Sequence, residues 1–478
     1  MTNTYATARE MIAALKAKKV SARELLNAHL ARNDAVHAKL NAVIATDIAR
    51  ARKDAAAIDE ARAKGAALGA LAGLPMTVKD CFDVENMPAV VGNPAFVGRP
   101  TDSAEATIVA AARKAGAVIW GKTNVPFMVA DMQTYNVVYG TTNNPYDLTR
   151  VCGGSSGGAA TALAAGVTSL ELGSDIGGSL RHPANYCGVF SLKLTWGALS
   201  QRGYIPPLPE NYAEHDLNVV GPLARNSEDL KLLWSVLRGT PQQMRRDVKG
   251  TRVAVWDQEP SWPLARDVRD GVRRAAEALQ KAGAQVEYKK PPIDGAELMD
   301  CYTTLLTAIM ALGLPPALLT MWEAGRAQDR ELQSQPGLEG MVARFRLNST
   351  ATFLEVAAAM AQRQKLKDKL AAFFAEGWDV IVMPISMVPP FKHLHEPSFM
   401  ERVLDVDGQS VPYIALLNWI SPATALHAPA LAVPAGRNGQ GLPIGVQLVG
   451  PWNGEDRLFD FAAAVEEGLG GFVPPPGL

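Results

Sequence analysis

Two glycine-rich runs dominate this chain: Gly153-Gly154-Ser155-Ser156-Gly157-Gly158 and Gly173-Ser174-Asp175-Ile176-Gly177-Gly178-Ser179-Leu180-Arg181. Glycine serves where backbone turns sharply or approaches a ligand closely. One Gly-Ser run is ordinarily a linker or a tight turn. Here two runs sit close together, with Ser155 and Ser179 only 24 positions apart (179 − 155). Each is flanked by apolar sequence. The pattern suggests two turns that form a backbone cradle with hydroxyls inside it.

A serine hydroxyl is a poor nucleophile until a base takes its proton. None of the seven histidines presents itself as that base. His29 and His37 fall on an amphipathic helix and read as surface residues. His182 follows Ser179 closely and reads as pointing away from the cradle. His393 and His395 form a lone His-x-His without the further ligands a metal site needs. A lysine is the better candidate. Leu74-Pro75-Met76-Thr77-Val78-Lys79 is a short β-prone run ending in Lys79. Burial there lowers an amine's pKa and leaves neutral amine able to act as a base. The local run equally allows Lys79 to start a loop and reach water.

Lys79, the Ser155 run and the Ser179 run, in that order, resemble the signature of the amidase signature family. The likeness extends through Gly121-Lys122-Thr123-Asn124, Asn144-Pro145 and Gly221-Pro222-Leu223-Ala224-Arg225. It resumes at Pro429–Pro434 and Gly441–Gly450. Cys152 and Leu194 stand where many members have proline. The resemblance implies a Ser-cisSer-Lys triad with Ser179 as nucleophile, Ser155 as bridging serine and Lys79 as base. It also implies an oxyanion hole of backbone N–H groups from Ile176, Gly177, Gly178 and Ser179. Gly153, Gly154, Ser156, Asp175 and Arg181 are expected to support these loops, the last two as an ion pair. Read locally, Ser155 is equally a helix N-cap, and Ser156 offers a second capping hydroxyl. Thr123, Asn124 and Gln447 read as scaffold.

Composition narrows the partners. The 478 residues carry 47 basic and 48 acidic side chains, a net charge of −1. That balance gives no reason to expect nucleic acid or an anionic membrane. Cys81, Cys152, Cys187 and Cys301 show no metal-ligand spacing and suit a reducing compartment. The start has no signal-peptide pattern, and no apolar stretch reaches the ~20 residues of a membrane helix. The expectation is a cytoplasmic monomer or homo-oligomer, free of metal and organic cofactor.

Element signals alternate. Ser21-Ala-Arg-Glu24 is a capping box opening a helix to about His37. A second helix is expected over 49–64, a strand over 75–79, a helix over 104–115 and a strand over 118–120. A helix over 156–165 and a strand over 168–172 follow. Later come a helix over 227–237, a strand over 252–256, a helix over 264–282, a mostly helical stretch over 295–376, and strands near 379–382, 431–433 and 445–449. Helices packed on a central sheet follow from that alternation. Core-like segments at both ends point to one domain, 1–478, with a variable helical insertion at about 295–376. The resemblance implies the same α/β class: an α/β/α sandwich around a large, twisted mixed β-sheet.

The expected reaction is hydrolysis of small or medium neutral amides, with carbamates (urethanes) and esters open to the same relay. The alternative is the A-type subunit of a tRNA-dependent, glutamine-hydrolysing amidotransferase. Apolar runs around Leu305-Leu306, Leu318-Leu319, Trp322 and 414–420 favour neutral, bulky apolar substrates, with Trp322 and Trp419 as candidate pocket residues.

Overall fold

The structure is a computed structural model and describes residues 3–100, 105–206 and 213–478. Its centre is an eight-stranded sheet. In chain order the strands are β4 (Glu171–Asp175), β5 (Phe190–Lys193), β6 (Val219–Ala224), β7 (Arg252–Val255), β8 (Gln285–Tyr288), β9 (Val380–Pro384), β10 (Ala430–Arg437) and β11 (Pro443–Val449). They lie in the order β8-β7-β9-β11-β10-β5-β6-β4. β7 pairs in parallel with β8 and β9, and every other pairing is antiparallel. The sheet is therefore mixed. A second sheet has the order β1-β3-β2, from β1 (Val43–Thr46), β2 (Pro75–Lys79) and β3 (Val118–Thr123).

Side-chain alternation along the central strands explains the layering. Val253, Val255, Val380, Val382, Leu431 and Val433 enter one apolar cluster. Ala254, Ile381, Met383, Ala430 and Ala432 enter another. Successive strand residues point to opposite faces, so both faces are apolar and each needs a helical cover. Helices Ser227–Arg238 and Glu455–Leu469 and most of Arg266–Lys281 cover the first face. α1 (Gly157–Ala164), α2 (Arg181–Cys187), α3 (Gly295–Met310) and helix Phe353–Ala375 pack on the second side. The result is an α/β/α sandwich around a large mixed sheet.

Most expected elements fall within a residue or two of the reading. The Ser21/Glu24 capping box starts a helix at Ala22 that runs to Leu40. The strand expected at 168–172 begins only at Glu171, because Thr168 Oγ1 donates to Leu170 O at 2.9 Å and closes a turn. The helix expected from 104 is seen as Thr107–Lys114, and residue 104 lies outside the described residues. Residues 295–375 are mostly helical, with the main breaks at 311–315, 333–337 and 350–352. Among the described residues, no helix is long and apolar enough to cross a membrane.

Candidate active site

The site lies where β2 of the small sheet meets β4 at the edge of the large one. Thr77 N–H donates to Thr168 Oγ1 (3.0 Å), and Thr77 Oγ1 donates to the Glu171 carboxyl (2.6 Å). This seam buries Lys79 at the end of β2, fully removed from solvent. Its Nζ is hydrogen-bonded to Ser155 Oγ at 2.7 Å and to Ser174 Oγ at 2.8 Å. The sequence left open whether Lys79 reaches water, and the structure shows that it does not.

Three lysines are buried near this seam, and their partners separate them. Lys122 is paired with Asp80 at 2.7 Å. Lys193 donates to the Ala423 and Ala428 carbonyls at 3.0 and 2.8 Å. Lys79 meets serine hydroxyls and, among the described residues, forms no ion pair. Burial lowers its pKa to about 8, against the opposing pull of Cys81, Asp175 and Glu171. An amine at that value holds an appreciable neutral fraction near neutral pH.

The two glycine turns are stitched together. Ser156 N–H donates to Ser179 O at 3.1 Å, and the Gly154–Ser155 peptide is cis. Ser156 makes no side-chain cap on α1, contrary to the capping expectation. Its hydroxyl turns to Ser174 O at 3.4 Å. Ser155 and Ser179 are both buried, at 1% and 7% exposure.

Asp175 and Arg181 form the expected ion pair, with both side chains fully buried. Arg181 donates from Nε and Nη2 to the two Asp175 oxygens at 3.0 and 2.9 Å. It also donates to Ile420 O, Gln447 Oε1 and Thr424 Oγ1. Burial by itself would raise the Asp175 pKa, but Arg181, together with Lys193 and the Leu180 amide, outweighs it and holds the group at about 2. The carboxylate then gathers Gly178 N–H (2.9 Å) and Leu180 N–H (3.1 Å). This corrects the expectation of four free oxyanion donors, because the Gly178 amide is committed to Asp175. Ile176 and Gly177 are partly exposed, whereas Gly178 is buried. Gly178 has φ +87°, and a Cβ there would lie 2.3 Å from His182 Cδ2. Only glycine fits that turn.

The amidase family model matches residues 24–459. This chain belongs to the amidase signature family. As a member, it is a hydrolase acting on C–N bonds. It is 32% identical over 469 residues to AtzE of Pseudomonas sp. (strain ADP), a component of 1-carboxybiuret hydrolase, covering 93% of this chain and 94% of that one. It is 32% identical to the indoleacetamide hydrolase of Bradyrhizobium diazoefficiens, over 96% of this chain and 85% of the relative. It is 30% identical to the A-type subunit of the glutamyl-tRNA(Gln) amidotransferase of Cyanothece sp. (strain PCC 7425 / ATCC 29141), over 97% and 98% of the two chains.

Several sequence readings need correction within this family fold. His29 is fully buried, with Nδ1 3.1 Å from Val167 O, rather than on the surface. His182 packs directly behind Gly178 instead of pointing away from the cradle. Trp419 is fully buried, stacks edge-on against Trp262, and donates to Pro263 O at 3.0 Å. It is a core residue, not a pocket wall. Trp322 is half-buried against Phe345. The His393 and His395 rings sit 5.5 Å apart, and His395 stacks on Tyr135. No group of three potential metal ligands forms among the described residues.

The sequence reading missed Ser174 and Tyr302. Ser174 lies inside the second glycine run, and strand alternation sets it opposite in direction to Asp175, so it was findable. Tyr302 OH donates to Ile176 O at 2.8 Å from 126 positions away, on α3. No local signal marks it.

Proposed function

We propose that this chain hydrolyses neutral amides through an acyl-enzyme on Ser179, with aryl carbamates and esters open to the same relay. The observation that carries the reading is the buried Lys79–Ser155 hydrogen bond of 2.7 Å, in a turn tied to Ser179 through Ser156 N–H and Ser179 O. Neutral Lys79 accepts the Ser155 proton as Ser155 accepts the Ser179 proton. Ser179 Oγ then bonds to the substrate carbonyl carbon. The oxyanion takes hydrogen bonds from Ile176, Gly177 and Ser179 N–H. One such donor is worth about 3 kcal/mol in comparable sites. The C–N bond breaks as Ser155 protonates the leaving nitrogen and Lys79 resupplies Ser155. Water, deprotonated along the same path, attacks the ester carbonyl and releases the acid with Ser179 reprotonated.

A preference for neutral substrates is supported by what borders the oxyanion turn. Leu417 Cδ2 and Tyr302 Oη lie 3.3 and 3.7 Å from where a Gly177 Cβ would sit, and Ile420 lies 3.1 Å from the same point on Gly178. The nearest charges, Asp175 and Arg181, satisfy each other. Similarity to an indoleacetamide hydrolase supports a bulky aromatic amide. The proposal includes a cytoplasmic enzyme active as a monomer or homo-oligomer, without a cofactor. Residues 295–376 would be the variable insertion of a single domain.

The second reading, an amidotransferase component of the A type, rests on the likeness to that relative over 97% of this chain. Assay of the purified chain by itself separates the two. Turnover of anilides and aryl carbamates, with none on glutamine, supports the hydrolase. Glutamine hydrolysis that appears only with partner proteins, with anilides inert, would establish the amidotransferase instead.

A further inference from the structure

The turn that carries Ser155 rests on a neighbouring segment that takes no part in the relay. A Cβ on Gly154 would lie 2.5 Å from Asp131 O and 2.8 Å from both Gln133 N and Gln133 O. Thr134 Oγ1 donates to Gly153 O at 2.8 Å. Residues 131–134 thus sit against the two residues before Ser155, close to Gly154 through backbone atoms and bonded to Gly153 through the Thr134 hydroxyl. Any shift in this segment is passed to the Ser155 hydroxyl, because close-packed interiors transmit displacement rather than absorb it.

The segment is itself anchored by one carboxylate. Asp131 Oδ2 accepts from Arg402 Nη1 at 2.7 Å, and Asp131 Oδ1 accepts from Tyr413 OH at 2.6 Å. Arg402 is 3% exposed, and Tyr413 is fully buried. Arg402 also donates to Tyr135 OH, His395 O and Pro397 O. Gln133 adds a two-way bond with the Leu394 backbone, at 2.7 and 2.9 Å. A long connection, residues 389–413, is thereby clamped onto the floor of the catalytic turn.

We propose that Asp131 is a positioning residue for Ser155, holding the 131–134 segment in register through Arg402 and Tyr413. The inference rests on the Ser179 relay proposed above. It concerns the proton relay through Ser155. Ser155 takes the Ser179 proton on either substrate, but it must also protonate an amine leaving group, whereas an activated ester leaves without that proton. A misplaced Ser155 therefore harms amides more than activated esters. An ion pair that only stabilised the fold would lower both together.

The test compares Asp131→Asn, Arg402→Met, Arg402→Lys and the Asp131→Asn/Arg402→Met double variant. Each is assayed on an anilide and on a p-nitrophenyl ester, with thermal melting and fluorophosphonate labelling of Ser179 alongside. An amide side chain carries no charge for Arg402 and presents an NH2 in place of one acceptor oxygen, so the Arg402 ion pair is lost and one of the two bonds is lost or reversed. Misplacement of a catalytic group by about 1 Å costs on the order of 10²-fold. We expect Asp131→Asn and Arg402→Met each to lower anilide kcat by about 10- to 100-fold, with KM within about twofold. Ester turnover is expected to fall as well, but at least about threefold less than anilide turnover. The double variant should match the worse single variant, and Arg402→Lys should recover part of the loss. Parallel loss on both substrates, or multiplicative losses in the double variant, overturns the inference while leaving the Ser179 reading intact. If wild-type Ser179 is not labelled, the hydrolase reading fails and this inference fails with it.

Discussion

Replacing Arg181 by Met is expected to be the most damaging single change outside the relay. The guanidinium is fully buried and makes five hydrogen bonds: two to Asp175, and one each to Ile420 O, Gln447 Oε1 and Thr424 Oγ1. Methionine fills much of the volume but, among the described residues, leaves the Asp175 carboxylate hydrogen-bonded to the Gly178 and Leu180 amides alone. Removing one partner of a buried pair costs about 3–5 kcal/mol. That is a large part of the roughly 5–15 kcal/mol that typically holds a native state together. The pH dependence follows from the direction of the shift. In the wild type Asp175 titrates at about 2, below its ordinary 3.8, so its contribution is present above 3.8 and is lost as pH falls through about 2. Without Arg181, burial dominates and the carboxyl moves above its ordinary value. The stability gap between wild type and variant then widens as pH rises from about 2 through that raised value. Equilibrium urea unfolding at pH 4 and pH 7 reads this directly. A gap under about 1 kcal/mol at pH 7, or one unchanged between the two pH values, would refute the reasoning. Removing both charges with Asp175→Leu/Arg181→Met should regain stability over the single variant, as buried pairs replaced by apolar groups often do. Activity should stay lost, because the carboxylate no longer shapes the oxyanion turn.

Further expectations are narrower. Amidase activity should rise with pH through about 8, where Lys79 gives up its proton. A profile flat from pH 6 to 9 would count against Lys79 as base. Lys79→Ala should abolish anilide turnover with the circular dichroism spectrum unchanged. Gly178→Ala forces a φ of +87° on a residue with a Cβ and a 2.3 Å contact with His182. Such strain costs about 1–3 kcal/mol, and activity should collapse alongside. Trp419→Ala should cost about 3–5 kcal/mol as a core truncation and lower all substrates alike. A change in substrate ranking without lost stability would return Trp419 to the pocket.

The parts legible in the sequence were those set by local backbone demands. Glycine at turns, a capping box at Ser21 and Glu24, and short β-branched runs each act within a few residues. The Asp175–Arg181 pair spans six positions and could be read from one loop. Its extension to Gln447, 266 positions away from Arg181, could not be. Trp419 was misread because apolar content by itself does not distinguish a pocket wall from a core. Trp262, which closes its environment, is remote in sequence. His29 was misread for a similar reason: its buried acceptor, Val167 O, is 138 positions distant. The Asp131–Arg402 clamp joins residues 271 apart across two irregular segments, where neither helical nor strand periodicity gives a signal.

The claim on which all of this turns is that Ser179 becomes acylated with help from Lys79 through Ser155. Peptide mapping by mass spectrometry after brief exposure to a fluorophosphonate measures it most directly. The account predicts one adduct, on Ser179, matching the loss of amidase activity, absent in Ser179→Ala, and formed much more slowly in Lys79→Ala. An adduct on Ser155 or elsewhere, or a fully active enzyme that carries no adduct, would contradict it.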